Sequence, residues 1–421
     1  MIGRLFPFFF DKNKLPAYFR HMYIERDLSS FIQKSQATVQ ILTGPRQCGK
    51  STLFSRLSGP SFREVSLDDL QLRTLAYRDP GLFLEQFAPP VLIDEIQYAP
   101  NLFPEIKKIV DRMKRERIAT GTSISPSFRL TGSNQLLLDK NVKESLAGRA
   151  SWFYLNSLSV HEIKRAFPDI PIDEILFRGG WPELYTDPSL SPVTFLNDYL
   201  RSCVEKDIVL SAGILKQESF SRFLALLASR TGTLLEYSGF AGDCGIRSVT
   251  VKEWVGLLER SDFVHRLTPY FTNLTTRLTK TPKIYFLDSG LAVRLQGWRE
   301  KMPLLMSPQA GPLFESLVFA EIVKYIRNRG RDWTVHFWRT REGEEIDFLI
   351  ITASGAVVAL DAKMSVQALQ PFPLPRLFRT IFPATRQMVL VTYGGERLRL
   401  SQECLAVPVS GLVDFLEEIS E

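Results

Sequence analysis

One short segment of the sequence has the residue types and the spacing of a phosphate-binding loop. Thr43-Gly44-Pro45-Arg46-Gln47-Cys48-Gly49-Lys50-Ser51-Thr52 fits the pattern G-x-x-x-x-G-K-[ST] at every position. Glycines let main-chain N–H groups turn inward around phosphate oxygens, and the positive end of a following helix points at them. We expect Lys50 to reach the β- and γ-phosphates and Ser51 to hold Mg²⁺ through its hydroxyl group.

The residues on either side of this loop predict a strand before it and a helix after it. Val39 to Thr43 are apolar or β-branched apart from one glutamine, as in a buried strand, and Leu53 to Leu57 can begin a helix. A chance glycine turn is the competing interpretation, which the complete spacing in this context disfavours. We therefore expect residues 44–52 to bind ATP.

Two carboxylates end a second apolar segment, Val91-Leu92-Ile93-Asp94-Glu95. Such a strand suits the middle of a parallel sheet that is covered on both faces. We expect it to neighbour the strand of the loop, with its carboxyl end beside the loop, where ligands bind in open α/β sheets. Asp94 would then support Mg²⁺, and Glu95 would orient and deprotonate the attacking water. The predicted reaction is hydrolysis rather than phosphoryl transfer to a substrate.

Two further polar residues are candidates for the same site. A third strand, Phe128 to Thr131, leads into Gly132-Ser133-Asn134, and Asn134 could sense the γ-phosphate or the water. A plain turn is the alternative, since Gly-Ser-Asn is ordinary turn chemistry. Arg149 could stabilise transition-state charge in its own site or in a neighbour's, or it could be a surface or ion-pairing arginine.

Composition describes an ordinary globular protein of several domains. The 421 residues suggest about three domains, and 45% of them are apolar and 23% charged. A net charge of +6 permits nucleic-acid contact without requiring it. The four cysteines form no C-x-x-C pair, which argues against a zinc site and a disulfide framework. Because no stretch approaches ~20 apolar residues, we expect a cytoplasmic protein that does not enter a membrane.

The order of elements predicts four parts. Strands alternate with helices over 1–156, which indicates an α/β fold with a doubly wound parallel sheet, and a helical lid is expected over 157–194. Over 195–300, two amphipathic helices and two strands follow the order of a winged helix. Arg247, Lys252 and Arg260 near its second helix could meet DNA phosphates, and a protein-contact module is the alternative.

A second group of chemically active residues lies in the segment 301–421. Glu321 falls on the apolar side of a predicted helix, where a carboxylate is costly unless it is paired or bound to a metal. Asp347 lies on a following strand, and Asp361 and Lys363 share one face of the next strand. Carboxylates on adjacent strands can hold Mg²⁺, and a lysine beside them can activate water against a phosphodiester. Strand-end charges with a lysine partner are the alternative.

The order and spacing of these motifs resemble a group of prokaryotic AAA-type ATPases. The resemblance rests on GPRQCGKST, VLIDEIQYAPNLFPEIKKIVD, LTGSNQLLL, ESLAGR and FRGGWPELY, and later on KTPKIYFLDSGLA, FESLVFAEI, GEEIDFLI and LDAKMS. The C-terminal part of that family is similar to a winged helix followed by a PD-(D/E)xK nuclease-like domain, an α/β fold of the restriction-endonuclease type. By this resemblance Gly44, Gly49, Lys50, Ser51 and Thr52 bind nucleotide, Asp94 and Glu95 complete the ATPase site, and Glu321, Asp347, Asp361 and Lys363 form a nuclease-like site.

The sequence therefore predicts a Mg²⁺-dependent ATPase that is switched by its nucleotide and associates with DNA. An ATP-gated, metal-dependent nuclease is one alternative. A signalling or assembly ATPase whose C-terminal half binds protein is another. The predicted partners are ATP, DNA and further copies of the chain in a homo-oligomer.

Overall fold

The structure is a computed structural model of the whole chain. It describes residues 23–120, 126–132, 146–202, 217–271, 280–340, 342–364, 373–385 and 387–420. The predicted sensor residue Asn134 lies outside the described residues.

The first part of the chain forms a sheet of five parallel strands. These are β1 (Val39–Thr43), β2 (Arg63–Ser66), β3 (Val91–Asp94), β4 (Phe128–Gly132) and β5 (Ala150–Tyr154). Its helices are α1 (Leu28–Lys34), α2 (Lys50–Ser58), α3 (Leu70–Arg78), α4 (Pro80–Gln86) and α5 (Leu102–Thr120), with a 3-10 turn at Ile96–Tyr98. The predicted parallel α/β core is confirmed.

Both faces of this sheet are covered by apolar side chains. Ile41 of β1 packs into a cluster with Ile106 of α5, whereas the next residue, Leu42, packs into another cluster with Phe54 of α2. Successive side chains of a strand point to opposite faces of the sheet, so each strand serves two cores. This explains why the strands are apolar throughout rather than alternating.

The strand order corrects one expectation. The order across the sheet is β2-β3-β4-β1-β5, so β4 lies between the strand of the loop and the strand that ends in Asp94. We expected β1 and β3 to be neighbours. Order along the chain does not set order across a sheet, because each helical crossover can skip a strand position.

The middle of the chain is mainly helical. Its helices are α6 (Val160–Ala166), α7 (Ile172–Arg178), α8 (Glu183–Thr186), α9 (Pro192–Leu200), α10 (Gln217–Ser229), α11 (Tyr237–Cys244) and α12 (Ser248–Arg260). The antiparallel strands β6 (Val264–Leu267) and β7 (Lys283–Phe286) follow, and then α13 (Ser289–Leu295) and α14 (Lys301–Leu305). Helices followed by two paired strands are present in this segment, and a winged helix stays a prediction.

The C-terminal part begins with the long helix α15 (Ala310–Arg329) and contains a six-stranded mixed sheet. Its strands are β8 (Thr334–Arg339), β9 (Glu345–Ile351), β10 (Val357–Lys363), β11 (Met388–Thr392), β12 (Leu398–Ser401) and β13 (Cys404–Pro408), in the order β12-β13-β11-β10-β9-β8. The remaining helices are α16 (Arg376–Ile381) and α17 (Leu412–Glu418), and Val409–Gly411 forms a 3-10 turn.

The helical middle and the C-terminal part share one apolar core. A single cluster of buried residues contains Leu158 before α6, Trp254 of α12, Phe319 of α15 and Leu416 of α17. The predicted segments 157–194, 195–300 and 301–421 therefore pack around a common core. Among the described residues, no helix combines the length and apolar character needed to cross a bilayer.

Close packing at one glycine gives a stability test. A Cβ on Gly290 in α13 would lie 2.4 Å from the carbonyl oxygen of Arg178, so Gly290→Ala should cost about 1–3 kcal/mol through overpacking. Gly311→Ala in α15 is the matched control, because its Cβ would meet no atom within 4 Å. We expect Gly290→Ala to lower the midpoint of thermal unfolding and Gly311→Ala to leave it unchanged or raise it. Equal midpoints for the two variants would contradict this packing.

Candidate active site

Two glycines give the loop between β1 and α2 its shape. Gly44 has φ 148°, and a Cβ there would lie 2.1 Å from the carbonyl oxygen of Leu155. Gly49 has φ 92° and comes immediately before α2, which begins at Lys50. Both positions favour glycine because a side chain would be strained or would collide. The loop therefore ends at a helix N-terminus, as phosphate binding requires.

The side chains of the loop divide into buried and exposed groups. Lys50 is only 5% exposed, and its ammonium donates to the carbonyl oxygen of Pro45 at 2.6 Å, which places the charge inside the loop. The thiol of Cys48 is buried and lies 3.0 Å from the same oxygen. Arg46, Gln47, Ser51 and Thr52 are exposed. The predicted loop residues thus lie together, with the lysine directed back into the loop.

Asp94 lies against the loop although β4 separates its strand from β1. The hydroxyl of Ser51 donates to Asp94 Oδ1 at 2.9 Å, and the hydroxyl of Thr131 on β4 donates to the same oxygen. Carboxylate and hydroxyl oxygens are the hard ligands that Mg²⁺ prefers. By this chemistry Ser51 and Asp94 fit a magnesium ion, and its binding there stays a prediction. Thr131 was missed, although it directly precedes the polar segment that contains Asn134.

Glu95 has an unusual backbone. It lies in the left-handed region at φ 54° and ψ 43°, directly after β3, and its carboxylate accepts a hydrogen bond from the amide of Gln97. Non-glycine residues adopt this conformation rarely, and such residues cluster at functional sites. The conformation turns Glu95 away from the regular path of the strand, beside the predicted metal ligand Asp94.

Arg149 lies at the amino-terminal ends of the parallel strands, whereas the loop lies at their carboxyl ends. It precedes Ala150, which pairs with Val39 at the start of β1, whereas the loop follows the end of that strand, about 13 Å further along. Its guanidinium forms a double hydrogen bond with Asp111 of α5, at 2.6 and 3.1 Å, and these bonds lower the pKa of Asp111. Arg149 does not face the loop of its own chain, and a role in a neighbour's site stays a prediction.

The C-terminal carboxylates come together only in part. The carboxylate of Asp361 on β10 accepts from the main-chain N–H of Asp347 on β9, and that of Asp347 accepts from the N–H of Ala362, both at 3.0 Å. Lys363 Nζ lies 3.5 Å from Asp361 Oδ2. Burial, and after it the charges of Asp361 and Glu315, raise the pKa of Asp347 well above its usual range. These three predicted residues form one cluster.

Glu321 lies elsewhere, and this corrects the prediction. Its carboxylate is 1% exposed and accepts the main-chain N–H groups of Val160 and His161, at 2.8 and 3.0 Å. The residue of α15 that faces the cluster is Glu315, which is hydrogen-bonded to Tyr285. Residues six apart on a helix point about 120° away from each other, so Glu315 and Glu321 serve different surfaces.

A second lysine, Lys283 from β7, is ion-paired with carboxylates beside this cluster. Lys283 Nζ lies 2.5 Å from Glu345 Oε1 and 3.3 Å from Glu315 Oε1. Burial lowers the pKa of Lys283, but Glu315, Asp347 and Glu345 outweigh it, so the pKa is raised and the ammonium stays charged. In the part of the chain that the structure describes, no three His, Cys, Asp or Glu side chains are grouped to hold a metal ion. The ammonium of Lys283 thus neutralises Glu315 and Glu345, two carboxylates that a divalent cation could otherwise use.

Comparison with known families assigns the first part of the chain. Residues 36–164, which contain the loop, Asp94 and Glu95, match the family described as AAA domain. This segment is an AAA-type P-loop ATPase domain. Residues 171–302 and 310–412 match two domains of unknown function, DUF8612 and DUF4143.

Two uncharacterized proteins are similar to this chain over most of its length. An uncharacterized protein of Mycobacterium tuberculosis is 29% identical over 403 residues, which is 93% of this chain and 85% of that protein. An uncharacterized protein of Methanocaldococcus jannaschii is 22% identical over 359 residues, 76% of this chain and 74% of that protein.

Solved structures of archaeal ATPases are similar at a distance. A Walker-type ATPase of Pyrococcus abyssi has a TM-score of 0.40 and 16% identity, and the match covers 65% of this chain and 96% of that one. The ORC2 protein of Aeropyrum pernix in its ADP form has a TM-score of 0.30 and 10% identity, with 61% and 90% covered.

Several residues around the AAA domain escaped sequence reasoning because no local motif marks them. Arg26 before α1 donates to the carbonyl oxygen of Cys48 in the phosphate loop at 2.7 Å. Asp27 beside it binds His161 and Arg165; burial opposes its ionisation, but the hydrogen bonds from these residues dominate and lower the pKa of Asp27 to about 2. In the sequence Arg26 and Asp27 follow Glu25 and form an ordinary run of charged residues, so nothing local indicates their burial.

The position of Lys283 leads to a prediction about the C-terminal cluster. Lys283→Ala should lower the thermal unfolding midpoint strongly, because removing one partner of a buried ion pair costs about 3–5 kcal/mol. Lys280→Ala, at an exposed lysine nearby, is the control and should leave the midpoint unchanged.

Electron paramagnetic resonance of nucleotide-free wild-type protein with Mn²⁺ should detect no ion bound at the cluster. Binding of Mn²⁺ that Asp361→Asn abolishes would contradict this assignment.

Proposed function

We propose that the AAA domain hydrolyses ATP in a Mg²⁺-dependent reaction. The observation that carries this proposal is the hydrogen bond of 2.9 Å between Ser51 at the start of α2 and Asp94 at the end of β3. It joins the loop that would hold the phosphates to the strand that carries the acidic residues. Lys50 and Glu95 lie next to these two residues in the sequence, and we assign all four groups to one site.

Each residue of the site has a defined task in hydrolysis. Main-chain N–H groups of the loop and the ammonium of Lys50 would bind the β- and γ-phosphates. To do so, Lys50 would give up its hydrogen bond to the carbonyl oxygen of Pro45. Ser51 and Asp94 would hold Mg²⁺, which supplies charge neutralisation at the phosphates when it is bound. Thr131 would keep the carboxylate of Asp94 in its rotamer. Glu95 would accept the proton of the attacking water.

The lysine of the loop allows a test of nucleotide binding. Lys50→Ala should weaken binding of Mg·ATP by about 10-fold to 100-fold, because a charge-assisted hydrogen bond to phosphate is lost. Isothermal titration calorimetry measures the affinity, and Lys108→Ala on the exposed side of α5 is the control. Unchanged ATP binding by Lys50→Ala would remove the ATPase assignment.

The acid after β3 allows a separate test of chemistry. Glu95→Gln should bind Mg·ATP with nearly wild-type affinity and hydrolyse it about 100-fold to 10,000-fold more slowly, as expected for loss of a general base. Release of phosphate in single-turnover experiments measures this rate. Wild-type turnover by Glu95→Gln would assign the base to another residue.

We further propose that the ATPase is a nucleotide-switched protein that associates with DNA. The support is the exposure of Arg247, directly before α12, and of Lys252 and Arg260 within it, on the helix that would enter a groove. Glu253 is exposed on the same helix and reduces the local positive charge. We do not propose nuclease activity, because the ammonium of Lys283, which is ion-paired with Glu315 and Glu345, adds positive charge beside Asp347, where the metal would bind.

Salt dependence separates DNA association from a protein-contact role. If α12 neutralises DNA phosphates, the logarithm of the binding constant should fall steeply with the logarithm of salt concentration, and Lys252→Ala should reduce the slope by about 1. Fluorescence anisotropy with a labelled duplex, with and without Mg·ADP, measures this slope. The control is Lys301→Ala, whose ammonium is paired with Asp173 and Glu174. Absence of DNA binding would leave the protein-binding alternative.

A further inference from the structure

The buried side chain of Arg26 is hydrogen-bonded to the backbone of the phosphate loop. The guanidinium is 5% exposed and donates to three acceptors, the carbonyl oxygens of Cys48 and Asn156, both at 2.7 Å, and the carboxylate of Glu162 at 3.1 Å. A trans peptide is planar, and its N–H points away from its C=O. Fixing the carbonyl of Cys48 toward Arg26 therefore turns the N–H of Gly49 to the opposite side. Arg26 thereby fixes the direction of the Gly49 N–H, one of the main-chain donors of the phosphate loop.

The position of Arg26 depends on the first turn of α6. Glu162 is 1% exposed, and one of its oxygens accepts both Arg26 Nε and the main-chain N–H of Asp27 at 2.7 Å. Its other oxygen accepts the N–H of Ser159 at 2.9 Å, while the hydroxyl of Ser159 accepts the N–H of Glu162 at 3.0 Å. This capping box begins α6, so Arg26 and the start of α6 share one buried carboxylate.

The first turn of α6 is held in turn by α15 of the C-terminal part. Glu321 accepts the N–H groups of Val160 and His161, the first two residues of α6. One turn along α15, the ammonium of Lys324 donates to the carbonyl oxygen of Leu158 at 2.8 Å. Glu321 and Lys324 are each at most 5% exposed. Buried charges of this kind tolerate little displacement, because each lost hydrogen bond leaves a desolvated group unpaired.

We propose that Arg26 is a positioning residue of the ATP site and that Glu321 sets its position through α6. Arg26 joins the carbonyl oxygen of Cys48 to the carboxylate of Glu162 in the first turn of α6, and Glu321 binds the N–H groups of the same turn. The C-terminal part is thus coupled to the phosphate loop, and nucleotide binding and the contact of α15 with α6 influence each other. This inference rests on the proposed binding of ATP at the loop.

Conservative substitutions test the two ends of this chain in the full-length protein. Arg26→Lys keeps the charge but cannot reach three acceptors, and it should raise the Kd for Mg·ADP about 10-fold. Glu321→Gln should raise it about 3-fold to 10-fold, although Glu321 lies in another part of the chain. Glu418→Gln, in an exposed ion pair with Arg397, is the matched control and should bind like the wild type. The double variant should lose less affinity than the product of the single effects.

The same measurements distinguish positioning from a purely structural role. A structural role would lower the thermal unfolding midpoint of Glu321→Gln but leave the Kd for Mg·ADP of the folded protein unchanged, and that result would overturn the inference. If wild-type protein itself binds no nucleotide, the proposed function fails first. If the wild type binds Mg·ADP and Glu321→Gln binds it equally well, the proposed coupling is wrong but the proposed function stands.

Hydrogen exchange on the wild-type protein needs no variant and therefore decides the outcome even if a substituted chain does not fold. Coupling is reciprocal, so saturating Mg·ADP should slow exchange in peptides that cover residues 158–166 as well as in those that cover the loop. We expect at least a several-fold slowing at Val160 and His161, whose N–H groups donate to Glu321. Slower exchange in the loop with no change over residues 158–166 would contradict the proposal.

Discussion

The pairing of buried charges organises the junction between the AAA domain and the rest of the chain. Arg26, Glu162, Glu321 and Lys324 are each at most 5% exposed, and an unpaired ion at such a site costs several kcal/mol. Each of them is satisfied by groups from another element, at 2.7 to 3.1 Å. Hydrogen bonds of this kind are directional, so they define the relative placement of α1, α6 and α15 more narrowly than apolar packing does. The phosphate loop lies at one end of this arrangement.

The carboxylate of Asp94 and the carboxylates of the C-terminal part have different neighbours. Asp94 is surrounded by the hydroxyls of Ser51 and Thr131, which are neutral and leave its negative charge available to a cation. In the C-terminal cluster the ammonium of Lys283 already contacts Glu315 and Glu345. A divalent ion there would have to displace a covalently attached cation whose local concentration is high. The neighbours of a carboxylate, rather than the carboxylate itself, therefore favour cation binding at Asp94 and ion pairing at Glu315 and Glu345.

Much of the AAA domain follows from local sequence. The phosphate loop is predictable because its shape depends on backbone conformations that Gly44 and Gly49 allow within one short segment. The apolar strands and their parallel arrangement follow from composition and from their alternation with helices. The position of β4 between β1 and β3 does not, since either neighbour would bury the same side chains. For the same reason, the distance of Arg149 from the loop could not be read from its spacing.

The C-terminal part marks the limit of sequence reasoning. Asp347, Asp361 and Lys363 were predicted together because they lie on consecutive strands, where the two-residue period of a strand decides the face. Sequence reasoning selected Glu321 and passed over Glu315, because the answer depends on which side of α15 meets β7 and β10 and which side meets α6, and neither side is open to solvent. An amphipathic pattern cannot separate two buried faces.

Local sequence was enough to predict the parallel α/β core and the residues of the phosphate loop, because these depend on interactions between residues close in the chain. Which buried charges meet depends on the packing of the whole chain. Arg26 and Glu162 are 136 residues apart and Glu321 contacts Val160 across 161 residues, and such pairs form only when separate elements pack. No pattern within one segment encodes their distance, since it results from the packing of whole helices and sheets.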